Sequence, residues 1–242
     1  MASNWIKIDF SKFDLTVDFE FKYFKEYLEF NRSKLEERRI SLEVMLKEDI
    51  LENPGSKTVL EEIYADDKVK LPSYFYHSTI VSLYSILEVC LNDICELIIK
   101  ETGFHFTLDE ISGRDYILKS RLFLERVCGV DFKEVDQEWK SIKEYQKIRN
   151  FIVHDNSKCE IKKVDAGLKR KISKSGYLIE NGDYLIFYIN KSDIVELFLI
   201  TIEQFLKKLI FQLNDTEFSL ITKPIKLKQF DPFDLEVDDF PF

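Results

Sequence analysis

Apolar residues recur at helical spacing along most of this chain. Over residues 18–47 a strongly charged segment carries Phe21, Phe24, Leu28 and Leu35, then Ile40 and Leu42. The first four share one helical face, so the segment predicts a surface-rich helix or helix pair. Before it, residues 1–17 read as irregular or strand-like, with Ile6, Ile8 and Phe10 alternating against polar neighbours. Asn53-Pro54-Gly55-Ser56 is a turn. From there to Leu71-Pro72 the chain reads as a connector with a short helix around residues 59–64.

A stronger pattern follows. Phe75, Ile80, Leu83, Leu87, Leu91, Ile94 and Ile98 predict a helix over residues 73–100, with Gly103 beyond its end. A further helix is predicted over about 115–127. Another runs from 134 to about 153, with Trp139, Ile142, Tyr145, Ile148 and Ile152 on its apolar face and Asp155-Asn156-Ser157 as its terminator. Two apolar runs, 177–179 and 184–189, flank Asn181-Gly182 and predict a β-hairpin. Asn190-Lys191-Ser192-Asp193 then starts a last long helix ending near Leu213.

The expectation is a mostly α fold: a helical bundle with a small β-hairpin before the last long helix and a flexible acidic C-terminal tail. It divides into an N-terminal helical extension (1–70), a helical domain (71–213) and an extended acidic-aromatic tail (214–242). Composition agrees, because 45% hydrophobic residues with 21 Phe and 11 Tyr are ample for a core, and 7 Gly and 5 Pro leave long elements unbroken. The most apolar stretch, 194–213, is interrupted by Glu196, Glu203, Lys207 and Lys208, so it reads as a core helix and no membrane contact is expected. The start has no basic-then-apolar signal layout, and Cys90, Cys95, Cys128 and Cys159 lack zinc spacing. A cytoplasmic protein with reduced thiols is the expectation, without metal or organic cofactor.

A net charge of −9 excludes broad attraction to nucleic acid, so any such contact must be local. Lys158, Lys162, Lys163, Lys169, Arg170, Lys171 and Lys174 form the one basic run and are the candidate backbone-binding residues. Just before them stand Arg149 and His154. An arginine grips phosphate in two-pronged fashion, and a histidine exchanges protons near neutrality. Five positions on a straight helix correspond to roughly 500°, which leaves the two side chains about 140° apart. They can converge on one substrate only if the helix ends between them or if two subunits contribute. His77, among Tyr74, Phe75 and Tyr76, reads as a packing histidine, and His105 as a loop residue.

Arg149-Asn150-x-x-x-His154, preceded by Tyr145-Gln146-Lys147-Ile148 and followed by Asp155-Asn156, resembles the R-x4-6-H motif of the HEPN superfamily. The segment from Ser82 to Asp93 is similar to that family's first core helix, and the resemblance spans roughly residues 71–213. It implies a dimeric helical bundle that cuts RNA without metal, by attack of the 2′-hydroxyl on the adjacent phosphorus. His154 would move the proton at the attacking or leaving oxygen, Arg149 would stabilise charge on the phosphoryl oxygens, and Asn150 would orient the phosphate or the helix end. Glu88, with Asn92 one turn later, would face the pair from the first core helix. The implied role is a toxin or anti-phage effector with an antitoxin or defence-system partner protein. Members paired with a nucleotidyltransferase antitoxin carry a Tyr two positions after the histidine; Asn156 stands there, so regulation by that route is not expected. The alternative is a non-catalytic HEPN module that docks on a protein or nucleic acid.

Between Phe230 and the last residue lie five carboxylates, no cation and four Phe. Acids that steer, and a terminal aromatic that fills a pocket, form a docking peptide. Its end, Asp238-Asp239-Phe240-Pro241-Phe242, resembles the terminal peptide of bacterial single-stranded DNA-binding proteins, departing at Phe240, where Ile is usual. The resemblance implies a partner that recognises such tails.

Overall fold

The computed structural model describes residues 5–113, 115–164 and 166–220. The tail peptide, with Asp238, Asp239, Phe240, Pro241 and Phe242, lies outside the described residues. The chain is mostly helical. Its elements run β1 (Trp5–Ile6), α1 (Ser11–Glu52), α2 (Lys57–Thr102), α3 (Tyr116–Leu122), α4 (Asp136–Asp155), β2 (Lys158–Glu160), α5 (Ala166–Ser175), β3 (Gly176–Asn181), β4 (Tyr184–Ile189), α6 (Asp193–Asp215) and β5 (Phe218–Ser219). No described helix is long and apolar enough to cross a membrane.

Two elements differ from the expectation. Residues 18–47 form one unbroken helix, the first of the two alternatives, but it begins earlier, at Ser11. The connector expected up to Pro72 is instead the first part of α2, which carries Pro72 inside it. A proline in a helix interior removes one backbone hydrogen bond and costs roughly 3 kcal/mol. Here the next turns bury Ser73, Tyr76, His77, Thr79 and Ile80, and that tertiary burial outweighs the local break. The helix stops at Thr102, followed by Gly103 at φ 76°, the left-handed conformation that glycine adopts without a Cβ penalty.

The described chain separates into two compact units, and α1, α2, α4 and α6 each run from one into the other. Among the described residues, one unit comprises 5–18, Tyr84–Lys140 and 202–220. Its core holds Phe10, Ile94, Ile98, Phe123, Val135 and Leu209. Trp139 and Phe132 meet edge to face at 5.9 Å and both touch Phe205, while the Arg121 guanidinium lies 4.8 Å from the Trp139 ring centre. The Asp115 carboxylate caps α3 by accepting from Leu118 N at 2.8 Å. Cys95 is fully buried in this unit, and burial pushes its thiol up to about 12; burial pushes the Cys128 thiol upward as well.

The other unit comprises Phe19–Leu83 and Ser141–Thr201. In it α1 and α2 form an antiparallel pair, pinned by Tyr27 against Phe75, Arg38 to Asp67 at 3.1 Å, and Tyr64 Oη donating to Asp49 at 2.7 Å. Tyr145 of α4 stacks on Phe198 of α6 at 4.0 Å and donates to Ile194 O at 2.8 Å. A three-stranded antiparallel sheet, order β2-β4-β3, completes the unit. The expected hairpin is present, with Asn181 paired to Tyr184 and Gly182 at φ 60° in the turn. The third strand comes from the start of the basic run, which folds as β2, a short 3₁₀ turn and α5.

Gly176 opens β3 where the backbone of β4 leaves no room for a side chain: a Cβ would lie 1.8 Å from Tyr188 O. Gly176→Ala must therefore shift one strand, which predicts a loss of at least about 1–3 kcal/mol. A urea titration reads this as a lower midpoint with unchanged slope.

Candidate active site

Helix α4 carries both candidate catalytic residues. Ile142, Tyr145 and Ile148 are buried, so the helix is held by one face. Arg149 follows Ile148 and is half-buried, and its Nη1 donates to Asn150 Oδ1 at 3.2 Å. Asn150 and His154 are exposed. The helix continues through His154 to Asp155, so the first of the two conditions for convergence, a helix end between them, is not met. Arg149 and His154 therefore keep their helical separation of about 140°, and about 7.5 Å along the axis, on one chain. Termination comes later, at Asn156 (φ 49°) and Ser157 (φ 63°), two consecutive left-handed residues. Ser157 N then donates back to Phe151 O at 2.9 Å and closes the helix end.

Ser157 is buried, and its burial explains why α4 ends there. Its Oγ lies 3.0 Å from His77 Nδ1, and His77 Nε2 lies 3.2 Å from Ser73 Oγ. Ser73 Oγ in turn accepts from Ile189 N at 3.1 Å, and Ser157 O accepts from Phe187 N at 3.0 Å. This chain ties α2, the end of α4 and strand β4 together through one imidazole. A neutral imidazole needs one donor and one acceptor, and two hydroxyls satisfy either tautomer. Phe187 meets the ring edge to face at 5.3 Å. Sequence reasoning identified His77 as a packing histidine but missed its serines. The available signal was Ser73 and His77 four positions apart on an otherwise apolar helical face.

The basic run is largely engaged within the protein. Lys162 and Lys163 both pair with Glu160, at 2.8 and 2.9 Å. Lys169 pairs with Glu180 at 3.0 Å. Lys171 bonds Glu144 at 2.6 Å and lies 4.1 Å from the Tyr145 ring centre, so it covers α4. Lys158 lies over the Tyr184 ring at 4.0 Å. Among the described residues no carboxylate pairs with Lys158 or Arg170. Glu88 and Asn92 belong to the Tyr84–Lys140 unit, and both are half-buried. Asn92 Nδ2 donates to Glu96 at 3.0 Å. His105 is exposed, between α2 and α3. Among the described residues no three His, Cys, Asp or Glu side chains gather as metal ligands would.

No protein-family model matches the chain, and no curated protein or solved structure matches it either.

His77 is 7% exposed, and burial lowers its pKa from 6.5 to about 4. The unfolded chain takes up a proton at this position as pH falls through 6.5, whereas the folded chain does so only near 4. The associated stability is therefore complete above pH 6.5 and lost progressively down to pH 4, to a total of about 3 kcal/mol. Urea midpoints between pH 7 and 4 should fall more steeply for the wild type than for His77→Gln. Parallel profiles would rule the linkage out.

Proposed function

We propose that this protein is a metal-independent endoribonuclease of HEPN type, acting as a toxin or anti-phage effector with RNA as substrate. The observation that carries the reading is the Arg149/His154 pair on the last exposed turns of one continuous, rigidly ended helix. A guanidinium able to hold a phosphoryl group and an imidazole able to move a proton supply what transesterification requires. The 2′-oxygen forms a bond to phosphorus as its proton passes to one imidazole. The bond from phosphorus to the 5′-oxygen breaks, and that oxygen takes a proton from a second imidazole. The products are a 2′,3′-cyclic phosphate and a free 5′-hydroxyl.

Two imidazoles, and an arginine that diverges from the histidine of its own helix, require two copies of the chain. In a two-fold dimer with the α4 ends facing each other, Arg149 of one chain meets His154 of its partner across a cleft. Asn150 holds the Arg149 guanidinium by its Nη1 and limits its rotamers. Glu88 is retained as a candidate orienting carboxylate, and an antitoxin or defence-system protein as the candidate partner.

The test is pure protein with total RNA in EDTA. Wild type should cleave, and His154→Ala and Arg149→Ala should each lose about 10²-fold or more. Mixing the two variants should not restore activity, because no dimer they form holds two imidazoles together with an arginine. Cleavage by His154→Ala at the wild-type rate would end the proposal. Intact RNA throughout, together with capture of a partner through Asp238–Phe242, would favour the non-catalytic docking module.

A further inference from the structure

The side of α1 turned away from its core is apolar. Phe21, Leu28 and Leu42 are buried, and Tyr23, Tyr27, Phe30, Val44 and Leu51 lie on the opposite side of the helix. Tyr23, Phe30, Val44 and Leu51 are 61%, 62%, 50% and 79% exposed, and Tyr27, which touches Phe75 of α2, is still 47% exposed. A surface helix ordinarily presents charged and polar residues to solvent on that side. Together with Lys34, Glu37, Ser41 and Glu48, all exposed, these five follow one another at alternating steps of four and three residues, the seam spacing of paired helices.

The charged members of the seam indicate what covers it. Lys34 and Glu37 stand at its middle, 2.8 Å apart, with 55% and 60% of their side chains exposed. In a two-fold contact each residue meets on the other copy the residue that meets it in return. Two antiparallel copies of α1 centred between Leu35 and Glu36 set Lys34 of each against Glu37 of the other, and Tyr27 against Val44. In the same register Phe30 meets Ser41, and the Tyr23 hydroxyl meets the Glu48 carboxylate. On the flank Glu26 meets Lys47, and Ile40 meets Ser33. No like charges face each other. Parallel copies would instead set Lys34 on Lys34 and Glu37 on Glu37, which specific interfaces avoid.

We infer that this face of α1 is an antiparallel, two-fold seam for a second copy of this chain. It is separate from the contact between α4 ends and lies outside the segment 71–213, so it stands whether or not RNA is cut. A seam about 42 Å long and one helix diameter (about 10 Å) wide covers roughly 400 Å² of each copy. That is the low end of specific interfaces, so the association is reversible and depends on concentration.

The test treats the full chain with a carbodiimide, which joins a carboxylate directly to an amine in contact with it. Glu26 and Lys47 lie about 31 Å apart along one helix, so a bond between them forms only between two copies. Mass spectrometry of the dimer band should find the Glu26–Lys47 product in the wild type. Lys34→Glu and Glu37→Lys each place like charges in the middle of the seam, and each should lower the yield of that product about tenfold or more. An equimolar mixture of the two variants should restore it, because each then meets its opposite while neither regains the ion pair within its own helix. Absence of the Glu26–Lys47 product from the wild type overturns the seam, as does a yield that both variants leave unchanged. So does a mixture as weak as its components, which would assign the loss to the pair within the helix.

Discussion

A neutral imidazole with a hydroxyl on each nitrogen, enclosed between α2, the end of α4 and β4, fixes the geometry of the candidate site. Burying a polar ring is tolerable only when its hydrogen bonds are made, and His77 makes both. The bond to Ser157 sets where α4 must leave its helical path. The bonds through Ser73 to Ile189 N, and from Phe187 N to Ser157 O, set where the sheet begins. Asn156 and Ser157 adopt a backbone conformation that costs an L-residue roughly 1–2 kcal/mol, and the buried chain holds them there. The last turn of α4 is thus a rigid projection with His154 near its tip.

That rigidity turns a question of sequence spacing into one of assembly. A frayed helix end could swing His154 toward Arg149, whereas an intact one cannot. Convergence of the two side chains on one substrate therefore depends on a second copy of the chain, as the proposed dimer supplies. The charge pattern leads to the same emphasis on a few groups. In an acidic protein most lysines of the basic run meet carboxylates of their own unit, and exposed pairs of that kind contribute only about 0–1 kcal/mol each. Their main consequence is to leave Lys158, Arg170 and Lys174 as the cations of the run without a carboxylate partner among the described residues.

The helical elements were legible because periodicity reports burial directly: Ile142, Tyr145 and Ile148, read as one face, are that face. The hairpin was legible through Asn181-Gly182, where the turn needs a left-handed residue. Pro72 was misleading because local rules treat a proline as a stop, while the burial of Ser73, Tyr76 and Ile80 comes from distant parts of the chain. Strand β2 left no pattern, since three residues are too few for alternation and its pairing with β4 is long-range. The Arg149/His154 motif was visible as spacing. The stop at Asp155-Asn156-Ser157 was visible too, but not its cause, because the contact of Ser157 with His77 joins residues 80 positions apart.

The thiols of Cys95 and Cys128 are held protonated by their apolar surroundings. Peroxide and disulfide reagents attack the thiolate, so the population they can react with at these positions is negligible at physiological pH. Oxidative conditions that inactivate cysteine-dependent enzymes would leave this part of the interior chemically untouched.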